Sequence, residues 1–185
     1  MANETVDNYE KLASWGTSFL NIKSTDYVLD IGCGNGLEVR YLLRKAELVY
    51  GLDSSKVSLA VAADINKKAI DDGRCEILEG DVLHLPFNDD GLDVVTAFES
   101  VYFWEDLDAA FKEIYRVLIP GGHLLICNGL SQRQDLDVKK WAEMMDFEIY
   151  NTKYMVQMLN LIGYKAEYHA DEKRRICIVA EKIKV

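Results

Sequence analysis

Three glycines at every second position, Gly32, Gly34 and Gly36, stand directly behind the apolar run Tyr27-Val28-Leu29-Asp30-Ile31. That run reads as a β-strand, and the apolar period then changes to a helical one from Leu37 to Lys45. Glycine lets a backbone turn sharply at positive φ and lets a ligand approach without meeting a Cβ. The helix that starts here also offers unpaired N–H groups to a carboxylate or phosphate. Strand, glycine turn and helix in that order point to an α/β architecture whose ligand sits beyond the carboxyl end of the first strand.

The alternation continues along the chain. Leu48 to Asp53 reads as a second strand, followed by a long helix that Ser54 or Ser55 caps and Gly73 ends. Cys75 to Leu78 is a short third strand, and Leu92 to Phe98 a fourth, apolar enough to be buried on both faces. Leu107, Ala110, Phe111, Ile114 and Leu118 form one helical stripe, with acids at its start and Lys112 and Arg116 further on, as the helix dipole favours. Pro120-Gly121-Gly122 turns the chain into a strand from His123 to Cys127. Residues 131–150, polar at first and then rich in Trp141, Met144, Met145 and Phe147, read as a covering insert or lid. A helix from Tyr154 to Ile162, closed by Gly163, leads to strands Tyr164 to His169 and Arg175 to Ala180 around a charged turn. Ending on a hairpin instead of a further crossover requires one antiparallel strand in an otherwise parallel sheet. Tyr9, Leu12, Ala13, Gly16 and Phe19 suggest an amphipathic helix within residues 1–22, packed on the sheet or covering the site. The expectation is a single domain over 1–185, a Rossmann-like doubly wound sheet with helices on both faces.

Composition narrows the partners. The chain has 185 residues, 49% hydrophobic and 28% charged, ordinary for a globular domain. A formal charge of −10 disfavours nucleic acid and anionic membrane, and no basic cluster offsets it. The N-terminus lacks the pattern of a secretory signal, and no apolar run approaches the roughly 18 residues that span a bilayer. Cys33, Cys75, Cys127 and Cys177 are scattered without a CxxC pair, as expected of buried thiols in a reducing cytoplasm. His84, His123 and His169 show no metal-ligand spacing, so no metal is expected. Oligomeric state leaves no mark in the sequence.

Glycine spacing then separates cofactors. A dinucleotide fingerprint needs G-x-G-x-x-G, but the third position falls on Leu37 counted from Gly32 and on Val39 counted from Gly34. There is no G-x-x-x-x-G-K-[ST] phosphate loop either. What stands here is G-x-G-x-G preceded by Asp30. Asp53, at the end of the second strand, can accept both hydroxyls of a ribose, whichever nucleoside is bound; alone it is equally a strand-end carboxylate or helix cap.

Val28-Leu29-Asp30-Ile31-Gly32-Cys33-Gly34-Asn35-Gly36 resembles the first motif of class I S-adenosylmethionine-dependent methyltransferases. Glu79 to Phe87, Leu92-Asp93-Val94-Val95 and Arg116 to Gly122 resemble the family's later motifs, so the resemblance runs from about residue 26 to the end and is weakest over 131–150. It implies strand order 3-2-1-4-5-7-6 with strand 7 antiparallel, and S-adenosyl-L-methionine as cofactor, with S-adenosyl-L-homocysteine as product. By the same resemblance Asp30 and the backbone of Gly32, Cys33, Gly34 and Gly36 would hold the methionine part. Asp53, with Ser54 beside it, would take the ribose, Asp81 the adenine amino group, the Val82 N–H would face the ring, and the Phe98 carbonyl would meet the cofactor's amino group.

The acceptor should meet the methyl group at Glu99-Ser100-Val101-Tyr102-Phe103-Trp104. An [N/D/S]-P-P-[Y/F] amine motif is missing, which argues against common nucleic-acid and protein amine methylases. Glu99 is a candidate catalytic base, an attractor for a cationic substrate, or a carboxylate that orients the cofactor. Tyr102 and Trp104, with Phe103, are candidates for a substrate wall, or for packing at a helix start. His84 is available as a second base. The leading expectation is a small-molecule methyltransferase. A protein or RNA methyltransferase and a non-catalytic cofactor-binding regulatory domain are the alternatives.

Overall fold

The computed structural model describes residues 2–129, 151–173 and 175–183, with side chains described from Glu10 onward. Seven strands form one sheet in the order β3-β2-β1-β4-β5-β7-β6. They are β1 (Tyr27–Ile31), β2 (Leu48–Asp53), β3 (Cys75–Glu79), β4 (Leu92–Phe98), β5 (Leu118–Asn128), β6 (Tyr164–Ala170) and β7 (Ile176–Lys182). All neighbouring pairs from β3 to β5 are parallel, and β7 runs antiparallel to both β5 and β6. The order expected from the resemblance is the order found.

Helices cover both faces. On one lie α1 (Ala2–Thr17), α2 (Leu37–Leu42), α3 (Lys56–Ile65) and α4 (Lys67–Asp71), around an apolar cluster that includes Leu12, Val28, Val39, Val49, Leu125 and Cys127. On the other lie α5 (Leu107–Val117) and α6 (Thr152–Ile162), over Leu29, Val95, Phe111, Leu124, Leu159 and Ile178. Strands β1 and β4 send alternate residues into both clusters, which is why they read as nearly continuous apolar runs.

Three sequence expectations change in detail. The long helix after Ser55 breaks at Asn66 into α3 and α4. Asn66 is 3% exposed, and its amide turns inward to hydrogen-bond the backbone instead of continuing an outward face. The helix after Gly36 is hydrogen-bonded as helix only to Leu42 and ends in a tighter turn. Pro120-Gly121-Gly122, expected as a turn ahead of the fifth strand, lies inside β5. Leu118 already pairs with Leu92, the register shifts between Leu92 and Val94, and Gly121 takes a φ of 85°. This irregularity absorbs the turn, and Leu118 leaves the α5 stripe to join the sheet, where Val117 takes its place in the helix core. The insert expected at 131–150 lies outside the described residues.

Candidate functional site

The three glycines of the β1–α2 loop all have positive φ, yet they are required for two different reasons. The N–H groups of Gly32 and Cys33 both bond the Leu52 carbonyl at the end of β2, at 2.7 and 3.1 Å, and the loop then turns back on itself. A Cβ on Gly32 would come within 2.4 Å of Ser100 Cβ, and one on Gly36 within 2.6 Å of Asn66 Nδ2 and 2.9 Å of Ala62 Cβ. A Cβ on Gly34 would meet nothing within 4 Å. The outer two glycines therefore allow protein to pack on protein, while Gly34 stands at an opening.

That opening belongs to a cavity of about 710 Å³ beyond the carboxyl ends of β1, β2 and β4. Gly32, Gly34, Asp53, Ser54, Asp81, Val82, Glu99 and Trp104 line it, together with Phe103 and Glu105. Asp53 Oδ2 accepts the Gly34 N–H at 2.9 Å and Oδ1 accepts the Ser55 N–H at 2.8 Å. One carboxylate thus fixes the loop and the start of α3 together, and Ser55 completes that start by accepting the Ser58 N–H. Asp81 accepts the Leu83 N–H at 2.6 Å, and its other oxygen lies 3.8 Å from His84 Nδ1. His84 points into solvent and, like His123 and His169, does not line the cavity.

Other expected residues lie behind the cavity. Asp30 is 1% exposed and accepts a hydrogen bond from Thr96 Oγ1 at 2.7 Å. Burial, then the charge of Glu38, holds its carboxyl well above the usual range, with Thr96 opposing. Cys33 packs into the α2-side core, and burial pushes its thiol up, with Asp30 adding to it. Gly36 caps α2. The Phe98 ring is buried on the α1 side; the expectation for this residue concerned its carbonyl. Tyr102 is buried in the α5-side cluster, so of the three neighbouring aromatics it is Phe103 and Trp104 that reach the cavity.

Glu99 directly follows β4 with a φ of 51°, a left-handed conformation that costs a non-glycine residue about 1–2 kcal/mol. Its N–H bonds the Cys127 carbonyl at 2.9 Å, and its carboxylate accepts the Gly129 N–H. The chain ends of β4 and β5 are thereby joined at the cavity floor, and backbone strain of this kind concentrates at functional sites.

Five contributors were not anticipated from the sequence. Ser100 Oγ donates to the Ile31 carbonyl at 2.7 Å, tying the end of β4 to the end of β1. Asn66 holds the Gly36 carbonyl. Arg116, read only as a favourable helix-end charge, donates to the carbonyls of Leu85 and Phe87 and to Glu113 and Asp89, while Glu113 accepts the Leu85 N–H. The pair clamps the segment that follows Asp81. Glu38, in the first turn of α2, is 6% exposed, and burial lifts its carboxyl to about 7. An asparagine inside a long helical pattern is the one sequence signal that could have marked any of these in advance. Among the described residues, no cluster of His, Cys, Asp and Glu could hold a metal ion, and no helix is long and apolar enough to cross a membrane.

A seven-stranded sheet in this order, with an antiparallel seventh strand and a glycine loop over the mouth of β1, defines the Rossmann-like methyltransferase class of α/β protein. Residues 29–126 match the family model described as a methyltransferase domain, and the chain belongs to that family. It is 37% identical over 111 residues to methyltransferase GfsG of Streptomyces halstedii, a match covering 59% of this chain and 40% of that protein. It is 36% identical over 155 residues to the chloroplastic 2-phytyl-1,4-beta-naphthoquinone methyltransferase of Arabidopsis thaliana, covering 76% of this chain and 59% of that one. The chain therefore spans about two fifths to three fifths of the length of these two relatives. Among solved structures, phosphoethanolamine N-methyltransferase 2 of Haemonchus contortus, in complex with S-adenosyl-L-methionine, superposes with a TM-score of 0.81. That match has 19% identity and covers 96% of this chain and 53% of the other, a likeness of fold.

Proposed function

We propose that this chain is an S-adenosyl-L-methionine-dependent methyltransferase that acts on a small-molecule acceptor and releases S-adenosyl-L-homocysteine. The observation that carries this reading is the cavity at Gly34 and Asp53, in a chain of the methyltransferase family. The residues present fit the cofactor. Gly34 leaves open space where any side chain would intrude, and the lining acids suit hydroxyl, amino and cationic groups.

When bound, the cofactor supplies a methyl group on a sulfonium, already reactive without further activation. The protein's work is to hold and align. Asp53, beside Ser54, accepts the ribose hydroxyls, Asp81 accepts the adenine amino group, and the Val82 N–H faces the ring. The backbone of the glycine loop and the Phe98 carbonyl hold the methionine part, and Asp30 acts from behind as a positioning residue through β1 and Thr96. Trp104 bounds the acceptor side and Tyr102 supports it. Fixing the reactants in line and closing the site to water draws on the roughly 7–11 kcal/mol available from proximity. Glu99 takes the acceptor's proton where the nucleophile must lose one, a contribution on the order of 10² to 10⁴ in rate.

The same reading keeps residues 1–185 as one domain, places it in the cytoplasm, and assigns it no nucleic-acid partner, in keeping with a net charge of −10. Residues 1–22, of which Ala2–Thr17 are helical as α1, serve as an N-terminal element covering the site; α1 packs on α2 and β5.

Titration calorimetry with S-adenosyl-L-methionine and S-adenosyl-L-homocysteine tests the cofactor, and a methyl-transfer screen over metabolite extracts tests the acceptor class. Either cofactor form at 100 times its Kd should stabilise the fold by about 2.7 kcal/mol. Stabilisation by NADH with no response to either would sink the reading.

A further inference from the structure

Cys127 on β5 and Cys177 on β7 are register partners across the antiparallel pair, and both are free, fully buried thiols. Cys127 turns its carbonyl the other way, to the Glu99 N–H that follows β4. The N–H and carbonyl of a strand residue point to one side, so toward β7 the two cysteines form a non-hydrogen-bonded pair. In such a pair the Cα atoms lie about 4.5 Å apart and the side chains are at their closest, within the span of a disulfide. Both side chains enter the α1-side cluster, and the two thiols stand within hydrogen-bonding reach of each other. Cys33 and Cys75 lack this relationship. One follows β1 and the other opens β3, with β2 between them, a separation of about two strand spacings that exceeds disulfide reach.

The end of α1 covers the pair. A Cβ on Gly16 would fall 2.2 Å from Cys127 Sγ, and Cys177 Sγ lies 4.0 Å from the Gly16 carbonyl oxygen. A row of contacts holds this cover to the β6–β7 hairpin. The Arg175 guanidinium lies 4.6 Å over the Trp15 ring, Trp15 meets Phe19 edge-on at 5.3 Å, and Phe19 stacks on His169 at 4.0 Å. Arg175 also donates to the Lys11 carbonyl at 3.1 Å and is braced by Asp171.

Reactivity follows from this cover. The thiolate is the nucleophile in thiol oxidation. Burial, then the neighbouring Cys177, pushes the Cys127 thiol well up, so the covered pair is inert. Lifting the end of α1 breaks surface ring contacts and leaves the sheet intact, the kind of local opening that costs less than global unfolding.

We propose that Cys127 and Cys177 are a peroxide-oxidisable dithiol, gated by the end of α1, whose disulfide prevents α1 from seating fully. This inference goes beyond the methyltransferase reading and does not rest on it. In the uncovered pair one thiolate attacks hydrogen peroxide, breaking its O–O bond and releasing water, and becomes a sulfenic acid. The second thiol attacks that sulfur and expels a second water, forming the disulfide. Two thiols are oxidised by two electrons and one peroxide is reduced to two waters. The new S–S bond, about 2 Å long, draws the sulfurs out of their thiol positions. Gly16 packs on Cys127 Sγ without room for a methyl group, and a close-packed interior does not absorb such a shift.

Peptide mapping tests the chemistry. The folded, reduced protein is treated with hydrogen peroxide, denatured in N-ethylmaleimide, digested and analysed by mass spectrometry without reductant. Peptides containing Cys127 and Cys177 should be joined, and dithiothreitol should separate them, while Cys33 and Cys75 carry the maleimide. Phe19→Ala should speed bridging roughly two- to tenfold, as the loss of one ring pair allows. Arg175→Gln, which removes the cation over Trp15, should act in the same direction and serves where Phe19→Ala does not fold. Hydrogen exchange should show the α1 amides of residues 10–17 less protected in the oxidised protein than in the reduced one. Bridging only in urea, or equal bridging of Cys33 and Cys75, overturns the proposal. Unchanged rates in the folded variants, or equal α1 protection in the two redox states, overturn it as well.

Discussion

The side-chain amide of Asn66 donates to the carbonyl of Gly36 at 2.9 Å, across 30 residues of sequence, and to that of Ala62 at the same distance. A break between two helices thus holds the last glycine of the loop whose first two glycines line the cavity. Asn66 Oδ1 is buried and finds no partner among the described residues, so its amide group is kept there for what its nitrogen does. Asn66→Ala should cost about 1–3 kcal/mol in urea unfolding, because it leaves buried carbonyls less satisfied. It should also weaken S-adenosyl-L-homocysteine binding several-fold. A folded Asn66→Ala protein with unaltered affinity would show that the loop keeps its shape without this bond.

Gly34→Ala and Gly36→Ala should separate the loop's two tasks. Both force an alanine into the left-handed region, at about 1–2 kcal/mol. Only Gly36→Ala also drives a methyl group against Asn66 and Ala62. Its melting temperature should fall further than that of Gly34→Ala, whose loss should appear mainly as weaker cofactor binding. Equal destabilisation of the two would contradict the packing role given to Gly36.

Asp53 accepts N–H groups from Gly34 and Ser55, so its removal acts twice. Asp53→Ala should reduce S-adenosyl-L-homocysteine affinity by tenfold or more, since hydrogen bonds to a charged acceptor are worth about 1.5–3 kcal/mol. Asp53→Asn keeps one acceptor oxygen and should lose less. Calorimetric titration decides it, and an undiminished affinity for Asp53→Ala removes the residue from the ribose site.

Glu38 gives the fold a pH dependence opposite to that of a salt-bridged acid. Burial lifts its carboxyl from 4.5 to about 7, the charge of Glu99 adding to the rise and a backbone hydrogen bond opposing it. Between these values the folded state holds a proton that the unfolded chain has lost, so stability falls as pH rises through the window. The loss approaches about 1.4 kcal/mol per pH unit at its steepest and is complete above about pH 7. Glu38→Gln should therefore be more stable than the parent at pH 8 and close to it at pH 4.5. Parallel urea midpoints for the two proteins across that range would dismiss the buried charge.

Much of the site was legible because its parts are local. The strand–glycine–helix order at Tyr27 to Leu42, the acid ending β2 and the hairpin ending the chain are all statements about neighbours in sequence, and the structure keeps each of them. What escaped was contact between distant elements. Arg116 looked like a helix-end charge because its partners, Leu85 and Phe87, lie about 30 residues upstream in a segment without periodicity. Tyr102 looked like a pocket wall because nothing in three adjacent aromatics tells which one a short helical turn sends inward.

The sequence by itself determined the fold class and the place of the site. Apolar period, glycine spacing and strand-end acids are consequences of backbone sterics and of burial on one or both faces, and these act locally. Only the tertiary structure decided that Gly32 and Gly36 serve packing while Gly34 serves the opening, and that Asp30 lies behind the cavity while Asp53 faces it. It also decided that Asp53, Asp81, Glu99 and Glu105, from four separate stretches of chain, line one cavity. Those distinctions depend on which atoms meet across elements far apart in the chain, and such meetings exist only once the sheet has formed.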